Sequence, residues 1–298
     1  MIIVRLEGGL GNQMFQYALG RRLSIINNTK LKFDLSVFDK TRFNANATWR
    51  EYLLAIFRIK LEIAGEDEIQ KVKTYSPSLF DKAKYKLLGK PNPYGKTEVY
   101  ESKLFKFDSL VLKTPFNSYI TGYWQSPYYF DAIRKVLLND FQFKEIPNVK
   151  NYSFINEISN QNSVSVHIRR GDYASNPKHL KNHGLCSPEY YHNAIEFICN
   201  KVENPAFYFF SDEINWVEEN IKINYPAIYI KATSAEKDFY DLYMMSLCKH
   251  NIIANSSFSW WRAWLNKNPD KIVIAPKKWM AGDSIDTTDL IPGNWIRL

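Results

Sequence analysis

The stretch VSVHIRRGDY, residues 164–173, decides how the rest of the chain is interpreted. Apolar residues at every second position predict a β-strand with one face buried. His167 and Arg169 would then share the other face. Gly171 ends the strand, so two guanidiniums, an imidazole and the carboxylate of Asp172 are expected around one turn. In an open α/β sheet this is the edge that presents residues to ligands.

Two adjacent arginines at the end of a strand favour an anionic ligand. A guanidinium fork matches the oxygens of a phosphate group in a bidentate manner. Arg169 and Arg170 are therefore predicted to bind phosphate. The alternative is structural: Arg170 pairs locally with Asp172, and Arg169 points to solvent.

Composition and charge narrow the class of protein. A length of 298 residues predicts one or two domains, and 45% hydrophobic residues argue against disorder. The net charge of +8 favours acidic partners: nucleotides, nucleic acid or an anionic membrane surface. The lysines between 82 and 106 are interpreted as a solvated surface, so nucleic acid is not expected as a partner.

The cysteines and the apolar segments bear on location. Cys186, Cys199 and Cys248 form no CxxC pair and leave an odd thiol, which argues against a disulfide framework and a zinc site. No apolar run approaches the ~20 residues that span a bilayer. We therefore expect a cytoplasmic protein, with peripheral contact to the inner membrane compatible with its charge.

The N-terminal residues read as half of a nucleotide-binding fold. A strand at 2–6 leads through a glycine loop at 8–11 into a helix, and a second strand ends at Asp34. A dinucleotide fold places its ribose ligand near such a position, so a nicotinamide-dependent oxidoreductase is one alternative function. Met14, however, stands where the third glycine of that fingerprint belongs.

Residues 36–117 show poor periodicity and are interpreted as an irregular insertion on the acceptor side of the first domain. A strand is predicted at 118–123 and a helix at 127–138. The chain then passes into a second half, which gives two predicted domains: residues 1–150, an acceptor-side α/β domain, and residues 151–298, a nucleotide-binding domain.

The second half alternates strands and helices. Such alternation predicts a doubly wound parallel sheet, so the fold class is α/β with two Rossmann-like halves. The predicted strands are the one before His167 and those at 206–210, 228–230, 252–254 and 272–275.

A second anion site is predicted where the strand at 252–254 meets the next helix. Ser256 and Ser257 at such a turn either cap the helix or offer hydroxyls and backbone N–H groups to an anion. Asp241, on the preceding helix, is either part of a solvated acidic edge or accepts hydrogen bonds from a guanine base.

The search for metal ligands is negative. His179 and His183 are spaced i,i+4, but they lie between Pro177 and Gly184 without the glutamate of a zincin helix, so a loop is predicted. The sequence also contains no DxD motif after a strand to hold a divalent ion on a diphosphate. Arginines would then neutralise a leaving pyrophosphate, and no metal or other cofactor is expected.

Four motifs, taken together, carry a family resemblance. In order and spacing they resemble the bacterial α-1,2-fucosyltransferases. The HIRRGD element with its downstream serine pair also resembles the wider group of α-1,2-, α-1,6- and protein O-fucosyltransferases. The motifs are GGLGNQMFQYA at 8–18, HIRRGDY at 167–173, FSDE at 210–213 and NSSFSWW at 255–261.

The resemblance implies a two-domain GT-B-like fold and an inverting, metal-independent transfer. The donor would be GDP-fucose, and the acceptor the 2-hydroxyl of galactose at the end of an oligosaccharide. The remaining alternative is a non-catalytic protein that binds carbohydrate or nucleic acid.

The resemblance also implies roles for individual residues. Arg169 would be catalytic. The base is a separate hypothesis: Asp172 is the nearest carboxylate in sequence, but pairing with Arg170 would lower its pKa and make it a poor base. Arg262 and Glu213 depart from the family's usual SWWGA and SDD patterns. The remaining implied contacts are His167, Arg169 and Arg170 with the ribose and β-phosphate, Asp241 with guanine, Ser256, Ser257 and Phe258 with the pyrophosphate, and Gly11 and Asn12 with the sugar and acceptor.

Overall fold

The computed structural model of the chain forms two compact units. One comprises Met1–Lys144 with Thr287–Leu290, and the other comprises Glu145–Asp286 with Ile291–Leu298. The residues it describes are 1–39, 50–76, 78–80, 83, 87, 97–145, 155–230, 237–282 and 285–298.

The first unit is built on a four-stranded parallel sheet in the order β2-β1-β4-β3. Helices and 3-10 turns accompany the sheet. The strands are β1 (Ile2–Arg5), β2 (Leu31–Asp34), β3 (Glu98–Tyr100) and β4 (Ser118–Thr121). The helices are α1 (Leu10–Asn27), α2 (Glu66–Lys73) and α3 (Arg134–Asp140), and the 3-10 turns are Ser36–Phe38, Leu54–Ile56, Ser109–Lys113, Pro127–Tyr129 and Asp131–Ile133.

Helix α1 packs on the sheet at very close range. A Cβ on Gly20 would lie 2.6 Å from Val4 Cγ2 and 2.9 Å from Leu31 Cδ1, so only glycine allows this approach. Asn28 ends the helix in the left-handed conformation, with φ of 46°. The strand–glycine loop–helix unit predicted from the N-terminal sequence is thus present.

Two predictions for this unit are wrong. The stretch 36–117 is not wholly an insertion, because β3 within it is the edge strand of the sheet and α2 packs beside β4. Strand β3 has only three residues, too few for an alternating pattern to be recognised from sequence. The helix predicted at 127–138 is instead two 3-10 turns followed by α3.

The second unit has a six-stranded parallel sheet in the order β10-β9-β8-β5-β6-β7. Read from β7, this is the 3-2-1-4-5-6 order of a doubly wound dinucleotide-type sheet. The strands are β5 (Asn162–Ile168), β6 (Pro205–Ser211), β7 (Ala227–Tyr229), β8 (His250–Ile252), β9 (Val273–Ala275) and β10 (Ile296–Arg297). The helices are α4 (Ile155–Asn160), α5 (Gly171–Ser175), α6 (Pro177–His183), α7 (Pro188–Cys199), α8 (Ile214–Asn220), α9 (Lys237–Leu247) and α10 (Ser257–Leu265).

Strand β5 lies at the centre of that sheet, between β6 and β8. The alternation of its residues predicted one buried face, but every residue from Ser163 to Ile168 is buried. A central strand covered by helices on both faces explains the difference. Its serines are accommodated by hydrogen bonds: Ser165 Oγ accepts one from Asn251 Nδ2 at 2.7 Å.

The prediction of a loop at His179 and His183 is also wrong. Both lie on helix α6, which begins at Pro177 after Asn176, whose side chain accepts hydrogen bonds from the N–H groups of residues 178 and 179. Asparagine followed by proline is a helix-start signal. Elsewhere in the described residues, no helix is both long and apolar enough to cross a membrane.

Candidate active site

The strand order of the second unit identifies a place for a ligand. The chain runs outward from β5 to β6 and β7, then returns to β8 on the other side, so the order reverses between β5 and β8. Ligands of open α/β sheets bind at the carboxyl edge of this switch point. Arg169 and Arg170 directly follow β5, and the turn at Ser256 follows β8. The two anion sites predicted from sequence are therefore neighbours in the sheet.

Arg169 is held in place by the loop that follows the adjacent strand β6. Its Nη1 lies 2.9 Å from Asp212 Oδ2, with about a quarter of each side chain exposed. On another side, its guanidinium lies 5.6 Å from the ring centroid of Tyr173. An arginine fixed by a carboxylate but still partly exposed can bind an anion with little loss of side-chain entropy.

Arg170 has other described partners. Its Nε donates a hydrogen bond to Glu213 Oε2 at 2.9 Å, and its guanidinium stacks over Trp216, with 3.6 Å between Cζ and the ring centroid. Its backbone N–H donates to Asp212 Oδ1. These contacts attach the arginine motif to the FSDE loop. The side chain of Asp172, the candidate base, lies outside the part of the chain that the structure describes.

Replacing Gly171 by alanine is expected to lower kcat by roughly tenfold, equivalent to about 1.4 kcal/mol, because it would disturb the carboxylate of Asp212 that holds Arg169. A Cβ at this position would lie 2.4 Å from Asp212 Oδ2. The carboxylate of Asp212 must then shift, which disturbs its contact with Arg169. Steady-state kinetics and thermal melts would test this: unchanged kcat would show that the placement of Asp212 does not matter for turnover.

His167 lies at the end of β5 and is 5% exposed. Burial, and after it the positive charges of Arg262 and Arg169, hold the pKa of His167 well below its usual range. The imidazole is therefore neutral at pH 7. Its buried Nδ1 has no hydrogen-bond partner among the described residues. A neutral imidazole of this kind is able to exchange a hydrogen bond with a ligand hydroxyl.

The serine turn begins helix α10. Ser256 is the N-cap residue, but its side chain makes no capping hydrogen bond. Ser257 and Phe258 form the first turn of the helix, where backbone N–H groups and the helix dipole favour negative charge. The ring of Phe258 lies edge-on to His167, with 6.5 Å between the centroids. This turn and the end of β5 therefore adjoin.

Asn255 fixes the position of the serine turn. It is 3% exposed, and its Nδ2 donates hydrogen bonds to the carbonyl oxygens of His183 at 2.9 Å and Trp279 at 3.3 Å. A buried amide with these contacts has a structural role. It attaches the end of α6 to the turn that is predicted to bind phosphate.

Asp241 lies on helix α9 and is 7% exposed. It is not on the solvated acidic edge that the sequence offered as an alternative. Helix α9 packs against α10, the helix of the serine turn. Asp241 thus belongs to an element that adjoins the predicted nucleotide site.

In the first unit, Gly11 and Asn12 lie in the first turn of α1, at the carboxyl edge of β1. Gly8, with φ of +77°, approaches Asn12 so closely that a Cβ would lie 2.5 Å from Asn12 Nδ2. The buried amides of Gln13 and Gln16 hold this loop through hydrogen bonds to Gly8 O (2.9 Å) and from Glu7 N (3.0 Å). The glycine loop is therefore rigidly built, as a binding loop requires.

A second loop of the first unit was not recognised from sequence. It follows β4, which is the strand beside β1, and comprises Gly122–Gln125. Glu101 accepts hydrogen bonds from the N–H groups of Tyr123 and Trp124, at 2.8 and 3.0 Å. Gln125 Nε2 donates to Asn12 Oδ1 at 2.8 Å. The two loops at the carboxyl edge of this sheet are thus joined through Asn12.

Two further observations concern the oxidoreductase alternative and the search for metal ligands. Asp34, on which the oxidoreductase alternative depends, is 4% exposed and accepts hydrogen bonds from the Tyr119 hydroxyl at 2.5 Å and Ser36 N at 2.9 Å. Both carboxylate oxygens of Asp34 thus accept hydrogen bonds from the protein itself, which does not favour a contact with a ribose. Among the residues that the structure describes, no group of three or more histidine, cysteine, aspartate or glutamate side chains could hold a metal ion.

The partners of the arginines were also missed from sequence. Asp212 and Glu213 were recognised as part of a motif, but they were given no contact with Arg169 or Arg170. A signal was available, because both follow β6 directly and neighbouring parallel strands end at the same edge of a sheet. Trp216, one helical turn beyond Glu213, has no comparable sequence signal.

Comparison with known proteins identifies the family of the chain. Residues 1–298 match Glycosyl transferase family 11. The chain is 34% identical to α-1,2-colitosyltransferase of Escherichia coli over 100% of this chain and 99% of the relative. It is 36% identical to the O-antigen biosynthesis glycosyltransferase WbnK of Escherichia coli, covering 98% and 99%. It is 22% identical to mouse galactoside 2-alpha-L-fucosyltransferase Sec1, covering 89% and 64%.

A similar solved structure is that of the NodZ alpha-1,6-fucosyltransferase soaked with GDP-fucose. The TM-score is 0.51 at 12% identity, and the similarity covers 89% of this chain and 92% of that one. At this identity the comparison concerns the fold alone, and it confirms the predicted α/β, GT-B-like fold class. With the match over its whole length, the chain belongs to Glycosyl transferase family 11.

Proposed function

We propose that this glycosyltransferase moves L-fucose from GDP-β-L-fucose to the 2-hydroxyl of a terminal galactose, with inversion to an α-1,2 linkage. The product would be part of an O-antigen or another cell-surface glycan. The observation that carries the proposal is the switch point, where Arg169, His167 and the Ser256–Phe258 turn adjoin. A sugar nucleotide presents the matching chemistry: a diphosphate beside a ribose.

The proposed mechanism stabilises charge on the leaving group. When the glycosidic bond breaks, negative charge develops on the β-phosphate of GDP, while the sugar gains oxocarbenium character. Arg169 and the N-terminus of α10 are the groups that would accept this negative charge. Donors that are already fixed in a partly buried site stabilise such charge without reorganising.

The acceptor hydroxyl must lose a proton during transfer. Asp172 remains the proposed base, as the carboxylate nearest to Arg169 in sequence. In the first unit, Gly11 and Asn12 are the proposed contacts for the sugar and acceptor. Their positions at the carboxyl edge of β1 support this role, because that edge of a parallel sheet is where ligands bind.

The names of relatives support the linkage and leave two donor sugars to compare. An α-1,2 linkage appears in the name of the colitosyltransferase, and a 2-alpha-L-fucosyl linkage in that of the mouse relative. Colitose is fucose without its 3-hydroxyl, so the two donors differ by one polar group. We propose fucose as the sugar, with the colitosyl donor as the alternative to be compared.

A donor comparison tests the proposal. The enzyme would be assayed on lactose with GDP-fucose, GDP-colitose and UDP-galactose, and release of GDP or UDP would be measured. We expect kcat/KM to be highest with GDP-fucose. A higher value with GDP-colitose would reassign the sugar but keep the nucleotide, whereas a preference for UDP-galactose would overturn the proposed donor class.

We expect transfer to continue in excess EDTA and to gain little from added Mg²⁺ or Mn²⁺. In the proposed mechanism, guanidinium and helix N–H groups carry out the neutralisation that a divalent ion provides in other sites. Initial rates on GDP-fucose and lactose, with and without chelator, would test this. Loss of activity that metal restores would contradict a metal-independent site.

A further inference from the structure

Arg262 is a charged residue in the interior of the second unit. It lies on α10, four residues beyond Phe258, and is 1% exposed. A guanidinium removed from water to this degree is costly unless other groups compensate it. We therefore expect the groups around Arg262 to compensate its charge.

Two of its contacts lead to elements of the proposed nucleotide site. On one side the guanidinium stacks on Phe258 of the serine turn, with 3.7 Å between Cζ and the ring centroid. On the other side Nη1 lies 2.6 Å from Met245 Sδ on helix α9. Arg262 thus joins the turn predicted to bind pyrophosphate to the helix that carries Asp241.

Asp241 and Met245 are four residues apart on α9, so their side chains lie on the same face of that helix. Both are buried, with 7% and 0% of their surface exposed. The face of α9 that contacts Arg262 through Met245 therefore also carries the buried carboxylate of Asp241, one helical turn away. Buried charges in proteins are paired, and a planar fork is suited to holding a carboxylate in one orientation.

We propose that Arg262 is a positioning residue for nucleobase selection, which pairs with Asp241 and orients that carboxylate toward the base. One oxygen of Asp241 would bind the guanidinium, and the carboxylate would remain directed at the N1–H and N2–H₂ groups of guanine. This inference deepens the proposed function and rests on it. Guanine presents both donors to a carboxylate, whereas adenine does not.

The positive charge of Arg262 also reaches His167, where it acts with burial to lower the pKa of the imidazole. This supports the placement of the guanidinium beside the same site. One buried group would then organise three parts of it: the serine turn through Phe258, the end of β5 through His167, and helix α9 through Asp241.

The test compares binding of GDP and ADP by isothermal titration to the wild-type enzyme, Arg262→Met and Arg262→Lys. Methionine keeps the length and apolar contacts but removes charge and fork, so we expect the ratio of the ADP to the GDP dissociation constant to fall about tenfold. Lysine keeps the charge, so the ratio should fall by about threefold. In an Asp241→Asn background, Arg262→Met should no longer change the ratio.

Trp264→Phe is the matched control. Trp264 is buried on the same helix and stacks with Trp260, so its replacement should lower the melting temperature and leave the GDP preference unchanged. A ratio that stays at the wild-type value in Arg262→Met and Arg262→Lys, even with lower melting temperatures, would overturn the inference. If Arg262→Met does not fold, the ratio in Arg262→Lys decides.

The two proposals can fail separately. If the wild-type enzyme binds GDP no better than ADP, the proposed donor is wrong, and the role of Arg262 is overturned with it. If the wild-type enzyme prefers GDP and the variants retain that preference, only the role of Arg262 is wrong. If Arg262→Met lowers the ratio of the ADP to the GDP dissociation constant as much in the Asp241→Asn background as in the wild-type enzyme, Arg262 does not act through Asp241.

Discussion

Replacing Arg169 by lysine is expected to reduce kcat by about 10²–10³-fold, on the order of 2.7–4 kcal/mol of transition-state stabilisation, by analogy with the loss of one oxyanion-hole donor. Lysine keeps the positive charge but loses the planar fork. Some affinity for GDP should therefore remain, because charge alone attracts the diphosphate. The geometry set by Asp212, 2.9 Å from Arg169 Nη1, is lost, so the effect should fall mainly on turnover.

Arg170→Lys is the matched control, one residue along the same chain segment. Arg170 stacks on Trp216 and donates a hydrogen bond to Glu213, so its replacement should lower the melting temperature more than it lowers kcat. Steady-state kinetics and thermal melts on both variants give the comparison. A nearly wild-type kcat for Arg169→Lys would mean that this residue merely binds anions.

Asp241→Ala is expected to weaken GDP binding by roughly 1.5–3 kcal/mol, which is about 10–150-fold in the dissociation constant and is typical of a lost hydrogen bond to a charged group. ADP binding should weaken much less, because the carboxylate is proposed to contact guanine and not phosphate. The preference for GDP over ADP should therefore narrow. Isothermal titration with both nucleotides measures it.

A control on the same helix separates this role from a loss of folding. The hydroxyl of Ser246 donates a hydrogen bond to the carbonyl of Tyr243, so Ser246→Ala alters α9 without touching the proposed base contact. It should leave the nucleotide preference unchanged. Equal weakening of GDP and ADP by Asp241→Ala would show that Asp241 is structural.

Local sequence patterns were sufficient for the fold class, but the strand order that creates the switch point came from the structure. The alternation before His167 located strand β5, and the serine turn was placed correctly after a strand. Strand β8, at His250–Ile252, begins two residues before the predicted one. A helix between two strands returns the chain to the same end of the sheet, so alternating strands and helices predict parallel strands. Because such crossovers are right-handed, only a few topologies remain.

The contacts that shape the site depend on residues far apart in the chain, and sequence patterns did not reveal them. Gly122 and Trp124 have positive φ angles, of 149° and 57°, and Glu101, the residue that follows strand β3, stabilises their loop. Nothing in the local sequence pairs Glu101 with that loop. In the same way, Arg262 reads as one polar residue among tryptophans until α9 and α10 are seen to pack together.

The most direct measurement of the central claim is the structure of the product. The enzyme would be incubated with GDP-β-L-fucose and lactose, and the purified trisaccharide analysed by NMR for its linkage position and anomeric configuration. The proposed function predicts an α-L-fucosyl group on O2 of galactose. A β-configured product, a linkage to another hydroxyl, or absence of a trisaccharide while a different sugar nucleotide is consumed would contradict it.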